Sequence, residues 1–208
     1  MRKVLVFLAF LFLLQWGTSQ KLVEKTLNRP ETKYLQIDGD NCFQIMMDTH
    51  QSHLLKVEAI IEEEYSKDLA INIEENGKNI GISAAVIPSF QETNVKLNAL
   101  EEVSLVLSIT VPEYMAVSLT GTTTNVQAKG IYTNLSISLS DGNCSLQKIS
   151  EKVSVRTHTG EIEVKEAKGS ISAKSTYGKV IKGNIPNGDE IYLLHSNEGN
   201  IIVNGNNG

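Results

Sequence analysis

Four basic side chains in the last third of the sequence recur at nearly regular spacing. Arg156 and Lys174 are eighteen residues apart, His195 follows twenty-one residues later, and His158 lies two residues after Arg156. Cationic groups gathered on one surface would bind an anion such as an acidic sugar or a sulfated glycan. The alternative is ordinary solvated charge, because like charges about 5 Å apart on neighbouring strands repel unless an anion or solvent screens them.

Other residue types offer less chemistry. Glu161, Glu163 and Glu198 are the carboxylates that a polysaccharide-cleaving enzyme could use, but they do not form a recognisable pair. His50 and His53 are three residues apart without a cysteine to complete a zinc set. The sequence contains neither a nucleophile elbow nor a phosphate-binding glycine loop. We therefore predict no catalytic residues, no metal and no cofactor, and a protein that is not an enzyme.

Composition limits the classes of partner. The chain has 208 residues, of which 41% are hydrophobic, and 19 Lys+Arg against 24 Asp+Glu give a net charge of −5. This is a globular composition. Its acidic balance argues against nucleic acid as a partner, since non-specific binding to nucleic acid needs a basic surface.

Glycines mark a repeat in the C-terminal half. Gly142, Gly160 and Gly178 are spaced by eighteen residues, and Gly199 follows after twenty-one. We divide this half into blocks of eighteen residues that begin at Val117, Leu135, Val153 and Ile171, with a shorter last block from Tyr192. Each block predicts two short strands that are separated by a glycine bend.

Apolar residues keep four columns in register across the blocks. The first, third, tenth and fifteenth positions are, in turn, Val117, Leu135, Val153, Ile171 and Tyr192; Leu119, Ile137, Val155, Ala173 and Leu194; Val126, Cys144, Ile162, Val180 and Ile201; and Ile131, Ile149, Ala167 and Ile185. Lys182 interrupts the twelfth column. Alternation of apolar and polar residues predicts strands with one buried face.

Stacked blocks would join these columns into one core. Equivalent strands of successive blocks would pair in parallel, about 4.8 Å apart, to give a β-solenoid. The fourth position then forms an outward ladder of Thr120, Ser138, Arg156, Lys174 and His195, in which the basic residues form a stripe. The extra residues 186–190 would be a turn insertion in one block.

The N-terminal half is rich in strands but less regular. We predict either irregular coils or a small antiparallel unit that covers one end of the solenoid. The predicted divisions are a signal peptide at 1–19, a β-rich cap at 20–112 and regular coils at 113–208, or one continuous domain over 20–208.

The first residues have the three-part pattern of an export signal. Arg2 and Lys3 precede an unbroken apolar run at 4–14, and small residues follow. Eleven helical residues rise only about 16 Å, against a hydrocarbon core of about 30 Å. We predict export to the periplasm, the cell surface or the medium, with no membrane span in the mature chain.

Two cysteines remain after export. Cys42 and Cys144 follow similar turns, Asp-Gly-Asp-Asn and Asp-Gly-Asn. Either they are buried thiols that fill the core, or they form one disulfide that closes a loop of about a hundred residues.

Three runs carry a resemblance to a known family. Residues 155–164 (VRTHTGEIEV), 173–180 (AKSTYGKV) and 194–201 (LHSNEGNI) resemble the repeated unit of the bacterial exported "putative adhesin" domains, which include the autotransporter-adhesin head-like (GIN) group. The resemblance implies a right-handed parallel β-helix and transfers no catalytic residue. It also implies a non-enzymatic, adhesin-like structural or ligand-binding module of the cell envelope, with a polysaccharide or a cell-surface protein as partner. The alternatives are a protein-partner module in envelope sensing or regulation and, less favoured, a polysaccharide-active β-helix enzyme.

Overall fold

Every regular element in the described residues is a β-strand. The computed structural model describes residues 20–62, 69–86 and 105–205, so the predicted signal peptide lies outside the described residues. The strands are β1 (Gln20–Asn28), β2 (Tyr34–Asp38), β3 (Gln44–His50), β4 (Leu54–Glu62), β5 (Leu69–Asn76), β6 (Asn79–Val86), β7 (Val106–Pro112), β8 (Met115–Gly121), β9 (Asn125–Leu139), β10 (Cys144–Thr157), β11 (Ile162–Ala167), β12 (Ser170–Ser175), β13 (Val180–Lys182), β14 (Ile191–Ser196) and β15 (Ile201–Gly205). The prediction of an all-β chain is confirmed.

The strands pair in two series that share β9 and β10. The first series runs β5-β6-β2-β8-β9-β10-β14-β12, and the second runs β1-β4-β7-β3-β9-β10-β11-β15-β13. The first part of β9 pairs with β3 and its second part pairs with β8. The first part of β10 likewise pairs with β11, and its second part pairs with β14. These two long strands therefore tie the two series into one mixed sheet.

Parallel partners in the middle of the chain are eighteen residues apart. Leu135 pairs with Val117 on one side and with Val153 on the other. In the second series, Cys144 pairs with Val126 and with Ile162. These partners are the ones that the apolar columns predict.

The order of the last two blocks differs from the prediction. Val153 pairs with Tyr192, and Tyr192 pairs in turn with Ile171, so the block from Tyr192 lies between the blocks that begin at Val153 and Ile171. The second series repeats this order, with Ile201 between Ile162 and Val180. The prediction that blocks pair in strict succession is wrong at this point. Residues 183–190, which include the predicted insertion at 186–190, connect β13 to β14.

At the N-terminal end parallel and antiparallel pairing occur together. Strands β2 and β3 pair in parallel with β8 and β9, and β6 and β7 pair in parallel with β2 and β3. Strands β1 and β4 add to β7 in antiparallel fashion, and β5 adds to β6 in the same way. This end thus combines features of both predicted alternatives.

Buried apolar residues of both series form one hydrophobic cluster. Strand β7 shows the pattern that produces it, since Leu107, Ile109 and Val111 are buried and alternate with half-buried neighbours. The first, third and tenth columns are buried through the middle blocks, but Ile171 and Ala173 are only partly buried and Val180 is 39% exposed. The fifteenth column is less regular than predicted: Ile131 is half-buried and pairs with Ser150 instead of Ile149, because the register shifts there, and Ile185 is only partly buried. Ile171, Ala173 and Val180 belong to β12 and β13, the last strands of their series.

The predicted glycine bends are places of close backbone approach. A methyl carbon on Gly142 would lie 1.8 Å from the carbonyl oxygen of Thr124. On Gly178 it would lie 2.4 Å from the oxygen of Gly199. A side chain at these positions would overlap the next bend, which explains why glycine recurs there.

Candidate anion-binding surface

The structure places three of the four predicted basic residues side by side. Arg156 on β10 pairs with His195 on β14, and His195 pairs with Lys174 on β12. His195 is therefore the middle residue of three adjacent parallel strands, which are about 4.8 Å apart. We call Arg156, His195 and Lys174 the basic triplet.

The basic triplet faces solvent and borders a groove. All three side chains are exposed. An open groove of about 510 Å³ is lined by Ser154, Arg156, Ser172, Lys174, Leu193, Leu194 and His195. Within residues 20–62, 69–86 and 105–205, the ion pairs involve other cations, so no carboxylate neutralises the triplet. The groove therefore offers an accessible and uncompensated positive charge.

His158 does not join the triplet. Strand β10 ends at Thr157, and the backbone N–H of His158 already donates to the carbonyl of Ser140 (2.9 Å) in the following turn. Its Nδ1 lies 3.3 Å from Nδ2 of Asn197. His158 is exposed, as Arg156 is, but it lies one residue beyond the end of β10 and is not among the residues that line the groove.

Buried hydroxyls directly after the triplet residues hold their strands together. Thr157 follows Arg156 and pairs with Ser196, which follows His195. The Oγ1 of Thr157 donates to the carbonyl of Gly160 (2.7 Å), and a hydrogen bond of 3.0 Å joins it to Oγ of Ser196. These hydroxyls satisfy polar groups of the bends and cannot reach a ligand, because both residues are buried. Their contribution to the site is to fix the spacing of the triplet.

Two exposed apolar side chains beside the triplet were missed by sequence reasoning. Ile191 and Leu193 share the outward face of β14 with His195, and they are 44% and 41% exposed. Leu193 lies between Ser154 and Ser172 of the neighbouring strands. The signal was present in the sequence, because residues 191–194 (IYLL) form an unbroken apolar run where a half-buried strand normally alternates.

An acidic residue lies further along the same ladder, which continues beyond it to Ser83 on β6 and Asn72 on β5. From Lys174 the outward ladder continues through His195, Arg156, Ser138 and Thr120 to Asp38 on β2. Positive charge is thus confined to one end of this face, and small hydroxyl residues separate it from the carboxylate.

The cysteines and histidines do not form a reactive centre. Cys42 and Cys144 are free and buried, and burial raises the pKa of each thiol to about 12, with Asp38 adding to the effect at Cys42. The Nε2 of His50 lies 2.6 Å from the carbonyl of Leu54. In the part of the chain that the structure describes, no three His, Cys, Asp or Glu residues cluster so as to hold a metal.

Comparison with solved structures finds chains of similar fold in bacteria. A "putative cell adhesion protein" from Clostridium sporogenes matches with a TM-score of 0.67 and 17% identity, over 90% of this chain and 100% of that chain. A "putative adhesin" from Bacteroides fragilis matches with a TM-score of 0.40 and 12% identity, over 90% and 98% of the two chains. The chain shares the fold of the clostridial protein.

Sequence comparison adds nothing to this picture. No protein-family model and no curated protein matches the chain. Over the described ranges, no helix has the length and apolar character of a membrane span.

Proposed function

We propose that this chain is a non-enzymatic, exported, adhesin-like module of the cell envelope that binds an anionic ligand on its basic triplet. The observation that carries the proposal is the register that makes Arg156, His195 and Lys174 neighbours on three consecutive strands. Two cations, Arg156 and Lys174, on either side of a histidine complement a chain that carries repeated negative charges, as an acidic polysaccharide does.

The architecture that we propose for this module is a right-handed parallel β-helix of the GIN type. The two pairing series are its two faces, and residues 20–205 form one continuous domain in which β1, β4 and β5 cover the N-terminal end. The single hydrophobic cluster and the parallel partners eighteen residues apart support this reading. Export is inferred from the sequence of residues 1–19 alone.

Binding without turnover is the role that the groove fits. Glu163, which could act in sugar cleavage, forms an ion pair of 3.0 Å with Lys165 on its own strand. The triplet groove itself is lined by cations, serines and leucines, with no carboxylate. Hydrolysis by the usual mechanism needs two carboxylates on either side of the bond to be cleaved.

A panel of polysaccharides tests the proposal. Purified protein is run in native gels that contain neutral or acidic polysaccharides, and the same samples are assayed for release of shortened sugars. We expect retardation in gels with acidic polysaccharides only, and no release. Sugar release would contradict the non-enzymatic role, and equal mobility in every gel would favour a protein partner instead.

Matched variants assign the retardation to the triplet. The double variant Arg156→Ser/Lys174→Ser should lose it. The control Lys33→Ser/Lys56→Ser removes the same charge from two exposed positions elsewhere and should retain it. Equal losses in the two variants would mean that net charge, and not the triplet, causes retardation.

A further inference from the structure

The face of β14 combines charge and apolar surface in one line. Three side chains project outward from this strand, those of Ile191, Leu193 and His195. The two apolar ones are 44% and 41% exposed. Single exposed apolar residues are common on protein surfaces. Here, however, two lie consecutively on a strand that has parallel neighbours on both sides, and they lead directly to the basic triplet.

The neighbouring strands frame this apolar line with small polar residues and cations. Leu193 pairs with Ser154 and Ser172, and Ile191 pairs with Lys152 and Ser170. The serines are too short to cover the apolar side chains, so Leu193 remains part of the groove lining. The result is a shallow apolar track between two strands, closed at one end by positive charge.

We propose that the groove binds an anionic amphiphile, with the acidic head group on the basic triplet and an aliphatic chain along Leu193 and Ile191. This inference rests on the proposed function and narrows its ligand class. Outward side chains two residues apart on a strand are about 6.6 Å apart, so the track extends about 13 Å from His195 to Ile191. A ligand that is polar throughout would offer Leu193 and Ile191 no apolar surface to contact. An acyl chain would contact them and remove apolar surface of both molecules from water.

Charge complementarity selects the anionic head group. Arg156 and Lys174 lie on either side of His195, and Lys152 is a further exposed cation beside the track. An amphiphile with a neutral sugar head group would leave this charge uncompensated. A purely hydrophilic polyanion would use the triplet but not the track.

Four probes separate these possibilities in direct binding measurements by titration calorimetry. They are dodecyl phosphate below its micellar concentration, inorganic phosphate, dodecyl maltoside and dextran sulfate, with circular dichroism to verify that the protein stays folded. We expect dodecyl phosphate to bind at least about tenfold more tightly than either inorganic phosphate or dodecyl maltoside, because only it engages both parts of the groove.

Variants on the two parts of the groove give different patterns. Leu193→Ser should lower the affinity for dodecyl phosphate at least about fivefold and leave the affinity for dextran sulfate within about twofold of the native value. Arg156→Ser/Lys174→Ser should lower the affinity for both probes. The control Leu22→Ser changes an exposed leucine on β1, 63% accessible to solvent, and should affect neither probe.

The remaining outcomes overturn the inference in distinguishable ways. If dodecyl phosphate binds no better than inorganic phosphate while dextran sulfate still depends on the triplet, the amphiphile is excluded and the proposed function stands. If Leu22→Ser weakens dodecyl phosphate as much as Leu193→Ser does, the chain adsorbs detergent generally and has no such groove. If no probe binds, the inference and the proposed function fail together.

Discussion

A methyl carbon on Gly160 would lie 1.9 Å from the carbonyl oxygen of Gly142. The same relationship links Gly199 to Gly160, at 2.0 Å. Each bend therefore rests on the backbone of the bend beneath it, without room for a side chain. This stacking sets the spacing of the strands that carry the basic triplet.

Replacement of Gly160 by alanine should destabilise the protein strongly. The methyl group must displace the backbone of Gly142 and Asn143, which we expect to cost about 2–4 kcal/mol of the free energy of unfolding. Gly81→Ala is the matched control, because its nearest neighbour would be 3.8 Å away and it lies within strand β6. Urea unfolding measures the stability of both variants. Similar unfolding midpoints for the two would contradict the close packing of the bends.

Removal of the Thr157 hydroxyl should also reduce stability. Thr157→Val keeps the branched shape but removes the 2.7 Å donor to the carbonyl of Gly160 and the partner of Ser196, whose Oγ is a more distant donor to the same carbonyl at 3.4 Å. We expect a cost of about 1–3 kcal/mol. Thr110→Val removes a hydroxyl from a half-buried strand position and should change the free energy of unfolding by less than about 0.5 kcal/mol. Thermal unfolding compares them, and the idea fails if Thr157→Val is as stable as the control.

Lysines at the two ends of the sheet should prevent growth by edge pairing. Lys182 on β13 donates to the carbonyl of Ile171 on β12 (3.0 Å), and Lys25 on β1 donates to the carbonyl of Ile71 on β5 (3.2 Å). Both lysines cross from the second pairing series to the first, at an edge where the described residues add no further strand. Charges that point inward on edge strands oppose edge-to-edge association.

Lys182→Val should therefore make the protein self-associate. The change continues the apolar column of Ala128, Leu146, Val164 and Val203 to the last strand, so an exposed end becomes apolar. Sedimentation velocity should show concentration-dependent oligomers for Lys182→Val but not for Lys182→Arg or for Lys179→Val, which alters an exposed lysine just before the same strand. Unchanged sedimentation of Lys182→Val, or equal association of Lys179→Val, would remove this role.

The cysteines should remain thiols even in an oxidising compartment. Cys144 pairs with Val126, and Val126 pairs with Ile45, so two strand spacings of about 4.8 Å separate Cys144 from the strand that follows Cys42. A disulfide needs α-carbons closer than about 7 Å. Because burial also raises their pKa values to about 12, both thiols should resist alkylation at pH 8 in the folded protein.

Mass spectrometry checks this prediction after alkylation with and without urea. We expect two alkylated cysteines in urea without prior reduction, and none in native buffer. A species that takes up label only after reduction would show that the bridge forms.

The last two blocks show what the apolar pattern of the sequence can and cannot predict. Apolar columns identify which positions are equivalent, because burial depends on the alternation within each strand. They cannot order the blocks, because Tyr192 and Ile171 suit the same column equally well. One residue did indicate the order of the blocks. Lys182 interrupts the twelfth column, and a lysine is tolerated there only where the core ends.

The site was predictable in its residues but not in its geometry. The spacing of Arg156, Lys174 and His195 identified one ladder, but the exchange of blocks places His195 between the other two. The alternation also did not show that β10 ends at Thr157, one residue before His158. The turn that follows Thr157 is set by tertiary stacking, which alternation along a single strand does not report.

The central claim is that the basic triplet binds anions, and titration calorimetry with dextran sulfate tests it most directly. The native protein and Lys33→Ser/Lys56→Ser should bind with affinities within about twofold of each other, and both should weaken as salt rises from about 0.05 M to 0.3 M. Arg156→Ser/Lys174→Ser should bind at least about tenfold more weakly at low salt. Equal affinity of the two double variants would contradict the claim.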